Sequence, residues 1–392
     1  MSKQVYIVGS ARTPIASFLG SLSSLTAPQL GATAIRAALE HAGLSADAID
    51  ECYMGNVLSA GVGQAPARQA AKGAGLPNNV PATTINKVCG SGLQSIIMGQ
   101  KAILLDDAEL VVAGGMESMS NAPYILPKAR SGYRMGNGEV IDTMVHDGLW
   151  DPYGNMHMGH AGELCARECN FSRQVQDDFT KQSYERALHA QTQGWFKEEI
   201  VPVTVTDRKG DTLVSEDEEP GRARLDKLSS LRPVFDKDGT ITAANASSVN
   251  DGAAAVVLAS EEAVKRYKLQ PLARLVAYAG HAQAPEWFTT APVGATEKVL
   301  ARAQMKVDDI DLFEINEAFA VVALACMQKS GIDPEKTNVF GGAVALGHPI
   351  GATGTRLVVT LLSALGQRGK KRGLATLCIG GGEALALIVE RV

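Results

Sequence analysis

Thr26-Ala27-Pro28-Gln29-Leu30-Gly31-Ala32-Thr33 returns, one residue shorter, as Thr290-Ala291-Pro292-Val293-Gly294-Ala295-Thr296. The echo keeps its order further along: Ile49-Asp50 reappears as Ile310-Asp311, and Gly114-Gly115-Met116-Glu117 as Gly381-Gly382 and Glu383. Single matches among small residues arise by chance, but collinear ones with little drift in spacing imply two similar halves. The first half reads as alternating strands and helices. Val5-Tyr6-Ile7-Val8 is an apolar strand. Leu30, Ala34, Ile35, Ala38 and Leu39 form the stripe of a helix from about Pro28 to His41, with Gly43 as its stop. Ile49 to Val57 and Glu109 to Ala113 read as strands, the second closed by Gly114-Gly115. The alternation predicts an α/β fold with a mostly parallel sheet.

Two like α/β halves pack about a pseudo-twofold axis, across which equivalent loops face each other. One such loop is Asn86-Lys87-Val88-Cys89-Gly90-Ser91-Gly92, which follows an extended approach and precedes the helical spacing of Leu93, Ile96, Ile97 and Ile103. Cys89 is thus expected where a loop enters a buried helix, a place whose free N–H groups and dipole favour a thiolate. The flanking glycines leave room for a substrate. The alternative is a buried structural cysteine. In the internal alignment this loop falls opposite Ala345-Leu346-Gly347-His348-Pro349-Ile350-Gly351. The second half therefore brings a histidine to where the first brings a cysteine, and a Cys–His pair is one way to activate a thiol.

Between the halves the texture changes. Met116 to Met158 is rich in Gly, Met, Pro and Tyr, Ser172 is placed to cap a helix running through Asp178, Tyr184 and Leu188, and Glu216-Asp217-Glu218-Glu219-Pro220 reads as a solvated charge run. Val249 to Ala259 returns to strand character. The expected organisation is an N-terminal α/β half over 1–118 and a loop domain covering the site over 119–248. Residues 249–270 would complete the first half, and 271–392 form the C-terminal half.

The 392 residues carry a net charge of −5, which gives no electrostatic case for nucleic acid or an anionic membrane, and no apolar run is long enough to span a bilayer. Six cysteines without a disulfide-framework pattern suit a reducing compartment. Met1 to Gln4 lead straight into the first strand, leaving no room for a leader, and the last residues are not a peroxisomal signal, so the expected location is the cytoplasm.

Four segments carry chemistry: Asn86 to Gly92, Asn316-Glu317-Ala318-Phe319-Ala320, Gly341 to Gly354, and Cys378-Ile379-Gly380-Gly381-Gly382. Alone, Cys378 is the end of a buried strand and Asn316-Glu317 a helix cap. Together, from Ala11-Arg12-Thr13-Pro14 to the C-terminal glycines, the chain resembles the thiolase family, CoA-dependent enzymes that condense and cleave carbon–carbon bonds. The resemblance implies duplicated α/β halves in α-β-α-β-α layers with an inserted loop domain. It implies Cys89 as the nucleophile that accepts an acyl group, His348 as the base that takes its proton, and Cys378 as the acid/base that deprotonates the incoming acetyl-CoA. A thiol with an ordinary pKa of about 8.5 needs only a modest downward shift for that work. The N–H of Gly380, with that of Cys89, resembles an oxyanion hole, and Asn316 resembles a water-holding residue that with His348 makes a second.

For CoA, the same resemblance implies Ser247 on the pantetheine arm, His157 and Met158 in the acyl and pantetheine pocket, and Arg222 or Arg224 at the adenosine phosphates. Leu149, Ala318 and Phe319 match other pocket positions. Trp287-Phe288-Thr289-Thr290 departs from the Met-Gly pair of many bacterial biosynthetic members, and the bulk of Phe288 argues for a short acyl pocket. A tyrosine seen in potassium-using members is replaced near Pro220, so no metal is expected. The set His157, His160, Cys165 and Cys169 matches no usual zinc spacing and reads as buried cysteines beside histidines. The implied activity is reversible ping-pong condensation of two acetyl-CoA to acetoacetyl-CoA and CoA. No cofactor is expected beyond the CoA thioesters themselves, and the implied assembly is a homo-oligomer, dimer or tetramer. The alternative is a broader 3-ketoacyl-CoA thiolase of fatty-acid breakdown; a decarboxylating ketoacyl synthase and a silent CoA- or lipid-binding scaffold fit the four motifs less well.

Overall fold

The computed structural model describes residues 3–208 and 210–392. Its framework is one mixed sheet of ten strands. Nine form a continuous path: β1 (Val5–Arg12), β2 (Glu51–Gly55), β3 (Ala82–Ile85), β4 (Leu110–Ser118), β5 (Asn250–Ser260), β6 (Ala273–Ala282), β7 (Leu312–Ile315), β8 (Arg372–Ile379) and β9 (Glu383–Arg391). The tenth, Ala16–Ser17, pairs with β5. The spatial order is β3-β2-β4-β5-β1-β6-β9-β8-β7. Outward from the central β1–β6 pair, each side runs antiparallel, antiparallel, then parallel. That mirrored order is the duplication seen in the internal echo. Within the sheet, among the described residues, the two halves pair at Tyr6–Arg274 and Ile7–Ala273.

The sheet is not mostly parallel, as the alternation of elements suggested. Strand β5 arrives from the long insertion rather than from a crossover helix, and β8 returns to β9 through Gly380-Gly381-Gly382, a turn too tight for a parallel return. The echo also slips here. Gly381 and Gly382 make that turn with φ of +88° and +86°, whereas Gly114-Gly115 lies inside β4 and does not end it. A Cβ on Gly115 would sit 2.1 Å from the carbonyl oxygen of Gly351. The strand runs on because glycine there lets the His348 loop rest against it.

Strand alternation explains the layers. In β4, Val111 and Ala113 face a middle core while Leu110 and Val112 face an outer one. The middle core lies between helices α2 (Ser91–Leu104) and α7 (Thr353–Gln367) and both halves of the sheet, with Leu93, Ile96, Leu357, Leu361 and Leu377 fully buried. Helix α1 (Ala27–Ala42) covers the outer face of the first half, where Gln29 Oε1 accepts the Thr26 N–H at its start and Gly43 closes it. Helices α5 (Ala291–Ala303) and α6 (Ala320–Ser330) cover the second half. The result is helix, sheet, helix pair, sheet, helix, with strands buried on both faces.

The insertion adds α3 (Met158–Glu168) and α4 (Arg173–Thr192), the latter capped by Ser172 Oγ, which accepts the Val175 N–H. The acidic run at 216–220 is not merely solvated. Asp217 is buried and grips Arg12 of β1 with both oxygens, at 2.7 and 2.8 Å, while Glu199 takes Arg12 Nε at 2.6 Å. A planar guanidinium between two carboxylates ties the insertion to the central strand. Among the described residues no helix is long and apolar enough to cross a membrane, and no group of three or more His, Cys, Asp or Glu stands ready to hold a metal ion.

Candidate active site

Cys89 stands on a turn just before α2. Asn86 Oδ1 accepts the Val88 N–H at 3.0 Å, and Ser91 Oγ accepts the Lys87 N–H at 2.8 Å while donating to Val88 O at 2.7 Å. Between these clamps Val88, a β-branched residue, is held at φ +46°. Such a conformation is costly and persists only when its surroundings over-determine it. Gly90 makes room for Ile379 rather than for substrate, since a Cβ there would lie 2.4 Å from Ile379 Cδ1. The Cys89 turn thereby presses directly on the strand end that carries Cys378.

A cavity of about 190 Å³ opens over this turn. Cys89, His348 and Gly380 line it together with Leu149, His157, Met158, Ser247, Phe288, Ala318 and Phe319. All ten were singled out in the sequence. Cys378 lies buried beneath, packed with Met158, Phe288, Ala318 and Phe319. Asn316 is fully buried, and neither its amide oxygen nor its nitrogen has a partner. His348 Nε2 is likewise buried and unpartnered, while Nδ1 lies 2.6 Å from Thr353 Oγ1. His348 lines the cavity and Asn316 does not, so the bare Nε2 is the atom from which a group bound there finds a hydrogen bond. Arg222 is exposed at the end of the turn Glu218–Arg222 and is not in the wall, and Arg224 pairs with Asp226 at 3.6 Å.

Burial dominates the electrostatics. The Cys89 thiol is pushed up to about 11, although the backbone N–H groups of Gly380 and of Cys89 itself reach the sulfur and pull the other way. Cys378 is pushed well above the usual thiol range by burial, and a charge on Cys89 would raise it further. Burial thus works against the thiolate expected at the helix start and against the easy base expected at Cys378. Desolvation outweighs the helix terminus. His348 is held down to about 3 by burial and by the Arg356 guanidinium, so its imidazole is neutral.

Several wall and support residues were not singled out for a role by the sequence. Phe235 stacks on His157 with ring centroids 4.8 Å apart, and Val88, Met119, Ser248 and Ile350 are among the other residues of the wall. Glu117, at the end of β4, accepts from Asn56 Nδ2, Val57 N, Leu58 N and Gly351 N, joining the first half to the His348 loop. The echo of Glu117 at Glu383 was its only trace. Cys165 is buried against Phe319 and Val321 and Cys169 lies at its helix end, without a metal-ligating group among the described residues.

Comparison with known proteins agrees with this geometry. Residues 5–262 match the family model described as "Thiolase, N-terminal domain" and residues 269–391 that of "Thiolase, C-terminal domain". An acetyl-CoA acetyltransferase of Cupriavidus necator is 52% identical over 389 residues, covering 99% of each chain. Acetyl-CoA acetyltransferases of Schizosaccharomyces pombe and Saccharomyces cerevisiae are each 50% identical over the whole of both chains. With two collinear halves, facing cysteine and histidine loops, and matches along its full length, this chain belongs to the thiolase family.

Proposed function

We propose that this chain catalyses the acetyl-CoA C-acetyltransferase reaction, the reversible conversion of two acetyl-CoA to acetoacetyl-CoA and CoA. The observation that carries the reading is the shared cavity of Cys89, His348 and Gly380 above buried Cys378, closed by Phe288 and Phe319, whose rings meet edge-on at 6.5 Å. A cavity of about 190 Å³ suits a short acyl group better than a fatty chain. Relatives of the same length that are named acetyl-CoA acetyltransferases support this over the β-oxidation alternative.

In the first half-reaction the Cys89 proton passes to His348, the sulfur attacks the thioester carbonyl, and the bond to CoA sulfur breaks. Cys378 gives its thiol proton to the departing CoA and is left as a thiolate, while His348 keeps the proton from Cys89. Burial raises the Cys89 thiol and lowers the His348 imidazole, so the transfer from Cys89 to His348 runs against both shifts. The transfer is helped as negative charge moves onto the carbonyl oxygen facing the N–H groups of Gly380 and Cys89. In the second half-reaction Cys378 takes a methyl proton from a new acetyl-CoA. The resulting carbanion attacks acetyl-Cys89, the carbon–sulfur bond breaks, and His348 returns its proton to the Cys89 thiolate. His348 and an Asn316-held water would polarise the second thioester.

The segment 119–248 acts as a loop domain over the site, a reading supported by Leu149, His157, Met158, Phe235 and Ser247 in the cavity wall. Arg222 or Arg224 would meet the adenosine phosphates outside it. No cofactor is needed, because both half-reactions are acyl and proton transfers within reach of thiols and an imidazole; dialysis against a chelator should leave activity unchanged. Six free cysteines support a reducing, cytoplasmic setting, testable by fractionation. Exposed Leu126, Met135 and Val140 on the arm beyond β4 support a homo-oligomer, dimer or tetramer, testable by light scattering. The reaction itself is tested by incubation with acetyl-CoA and peptide mass spectrometry. An acetyl adduct on the Cys89 peptide and parallel-line kinetics are expected; intersecting lines without an adduct would overturn the covalent route. Thiolysis of 3-ketoacyl-CoAs of increasing length separates the two chain-length readings.

A further inference from the structure

A histidine that takes a proton must present a bare nitrogen, and what holds the other nitrogen decides which one is bare. His348 Nδ1 is held by a single neighbour, Thr353 Oγ1 at 2.6 Å, in the first turn of α7. The same hydroxyl lies 2.9 Å from the carbonyl oxygen of Pro349, one turn earlier. A hydroxyl has one proton and two lone pairs. With its proton directed to Pro349, Thr353 meets Nδ1 with a lone pair, and Nδ1 carries the ring hydrogen. Nε2 is then the bare nitrogen, and it is the one that is buried without a partner while the ring lines the cavity beside Cys89.

We propose that Thr353 is a positioning residue that holds His348 as its Nδ1–H tautomer and so leaves Nε2 free to take the Cys89 proton. The proposal rests on the reading of His348 as the base for Cys89. The arrangement serves both protonation states. When Nε2 gains a proton, the Nδ1–H keeps the same acceptor and the hydroxyl need not turn. With the hydroxyl turned to Nδ1 instead, Nε2 would carry the hydrogen and the base would be lost. The surroundings allow a clean test. Pro349 O also accepts the N–H groups of Ala352 and Thr353, at 2.9 and 3.0 Å, and His348 is separately anchored by its own N–H, which donates to Asn250 Oδ1 at 2.9 Å. Removing the hydroxyl therefore leaves the helix start and the loop backbone with their hydrogen bonds.

The experiment compares the wild type, Thr353→Val and Thr353→Ser, each with ring-¹⁵N histidine, using His348→Gln to identify the His348 signals among the seven histidines. The wild type and Thr353→Ser should show hydrogen on Nδ1 and none on Nε2, whereas Thr353→Val should show a mixed or reversed tautomer. Single-turnover acetylation of Cys89 should fall about 10–100-fold in Thr353→Val, the usual worth of a partner behind a histidine, and recover in Thr353→Ser. CoA binding should be the same in all three. A wild-type ring with its hydrogen on Nε2 overturns the proposal, as does a Thr353→Val protein with unchanged tautomer and unchanged acetylation. Should Thr353→Val fail to fold, the wild-type and Thr353→Ser spectra still decide the tautomer. If His348→Gln acetylates at the wild-type rate, the base assignment fails on its own and the tautomer result stands apart from it.

Discussion

Replacing Gly115 by alanine puts one carbon atom where the His348 loop rests on β4. That carbon would lie 2.1 Å from Gly351 O and 2.9 Å from Ala352 Cα, both backbone atoms, whereas ordinary contact begins at 3.4 Å. The loop must therefore retreat by about 1.3 Å, and a misplacement of ~1 Å in a catalytic constellation costs roughly 10²-fold. Gly351 cannot retreat freely, because its N–H is bound to Glu117 at 3.0 Å and His348 lies three residues before it. We expect Gly115→Ala to lose about 1–3 kcal/mol of stability from overpacking. Its acetylation by acetyl-CoA should slow by about two orders of magnitude, read by rapid quench and mass spectrometry of the Cys89 peptide. Gly366→Ala is the matched control: it lies in α7 with nothing within 4 Å of its would-be Cβ, and should gain about 0.5–1 kcal/mol with activity unchanged. A Gly115→Ala enzyme that is acetylated at the wild-type rate would show that the close approach does not position the histidine.

Three further outcomes are expected. In Cys378→Ser, acetyl-Cys89 should accumulate while condensation and deuterium exchange into the acetyl-CoA methyl group fall roughly 10²–10⁴-fold; condensation surviving with acetylation lost would mean that the two cysteines have exchanged roles. With the Cys89 thiol near 11, its alkylation by iodoacetamide in the substrate-free protein should rise about tenfold per pH unit from pH 7 towards 10, and a plateau near neutrality would reveal a preformed thiolate. Arg12→Met strands the fully buried Asp217 and Glu199 carboxylates, so urea unfolding should report a loss of about 3–5 kcal/mol, and an unchanged midpoint would refute the clamp between insertion and β1.

What was legible in the sequence is what repeats or stays local. Helix α1 follows from an apolar stripe between Thr26 and Gly43, and the mirrored strand order follows from an echo of short motifs in both halves. The cavity residues from Leu149 to Phe319 came with the resemblance, not with any periodicity. Other features depend on what folds against what. Gly114-Gly115 looks like a strand end until the Gly351 loop is seen against it. Asp217 looks solvated until Arg12, 205 residues away, is found in its carboxylate. Phe235 is one aromatic in a polar stretch, with no spacing to tie it to His157. The thiol pKa values went the other way because a helix start is visible in a sequence while the depth of burial over it is not.

The two-residue backbone seam between β1 and β6 bears on how this enzyme meets heat. With so little strand pairing between the halves of the sheet, their alignment leans on the packing between α2 and α7, where Thr355 Oγ1 donates to Gly92 O at 2.9 Å. Cys89 stands two residues before α2 and His348 five residues before α7. The sulfur and the imidazole are thus indexed to the most deeply buried helix pair in the molecule, not to loops that fray first. Warming should not melt the site ahead of the fold. Loss of turnover and loss of the sheet signal in circular dichroism should follow one curve, as a single cooperative event.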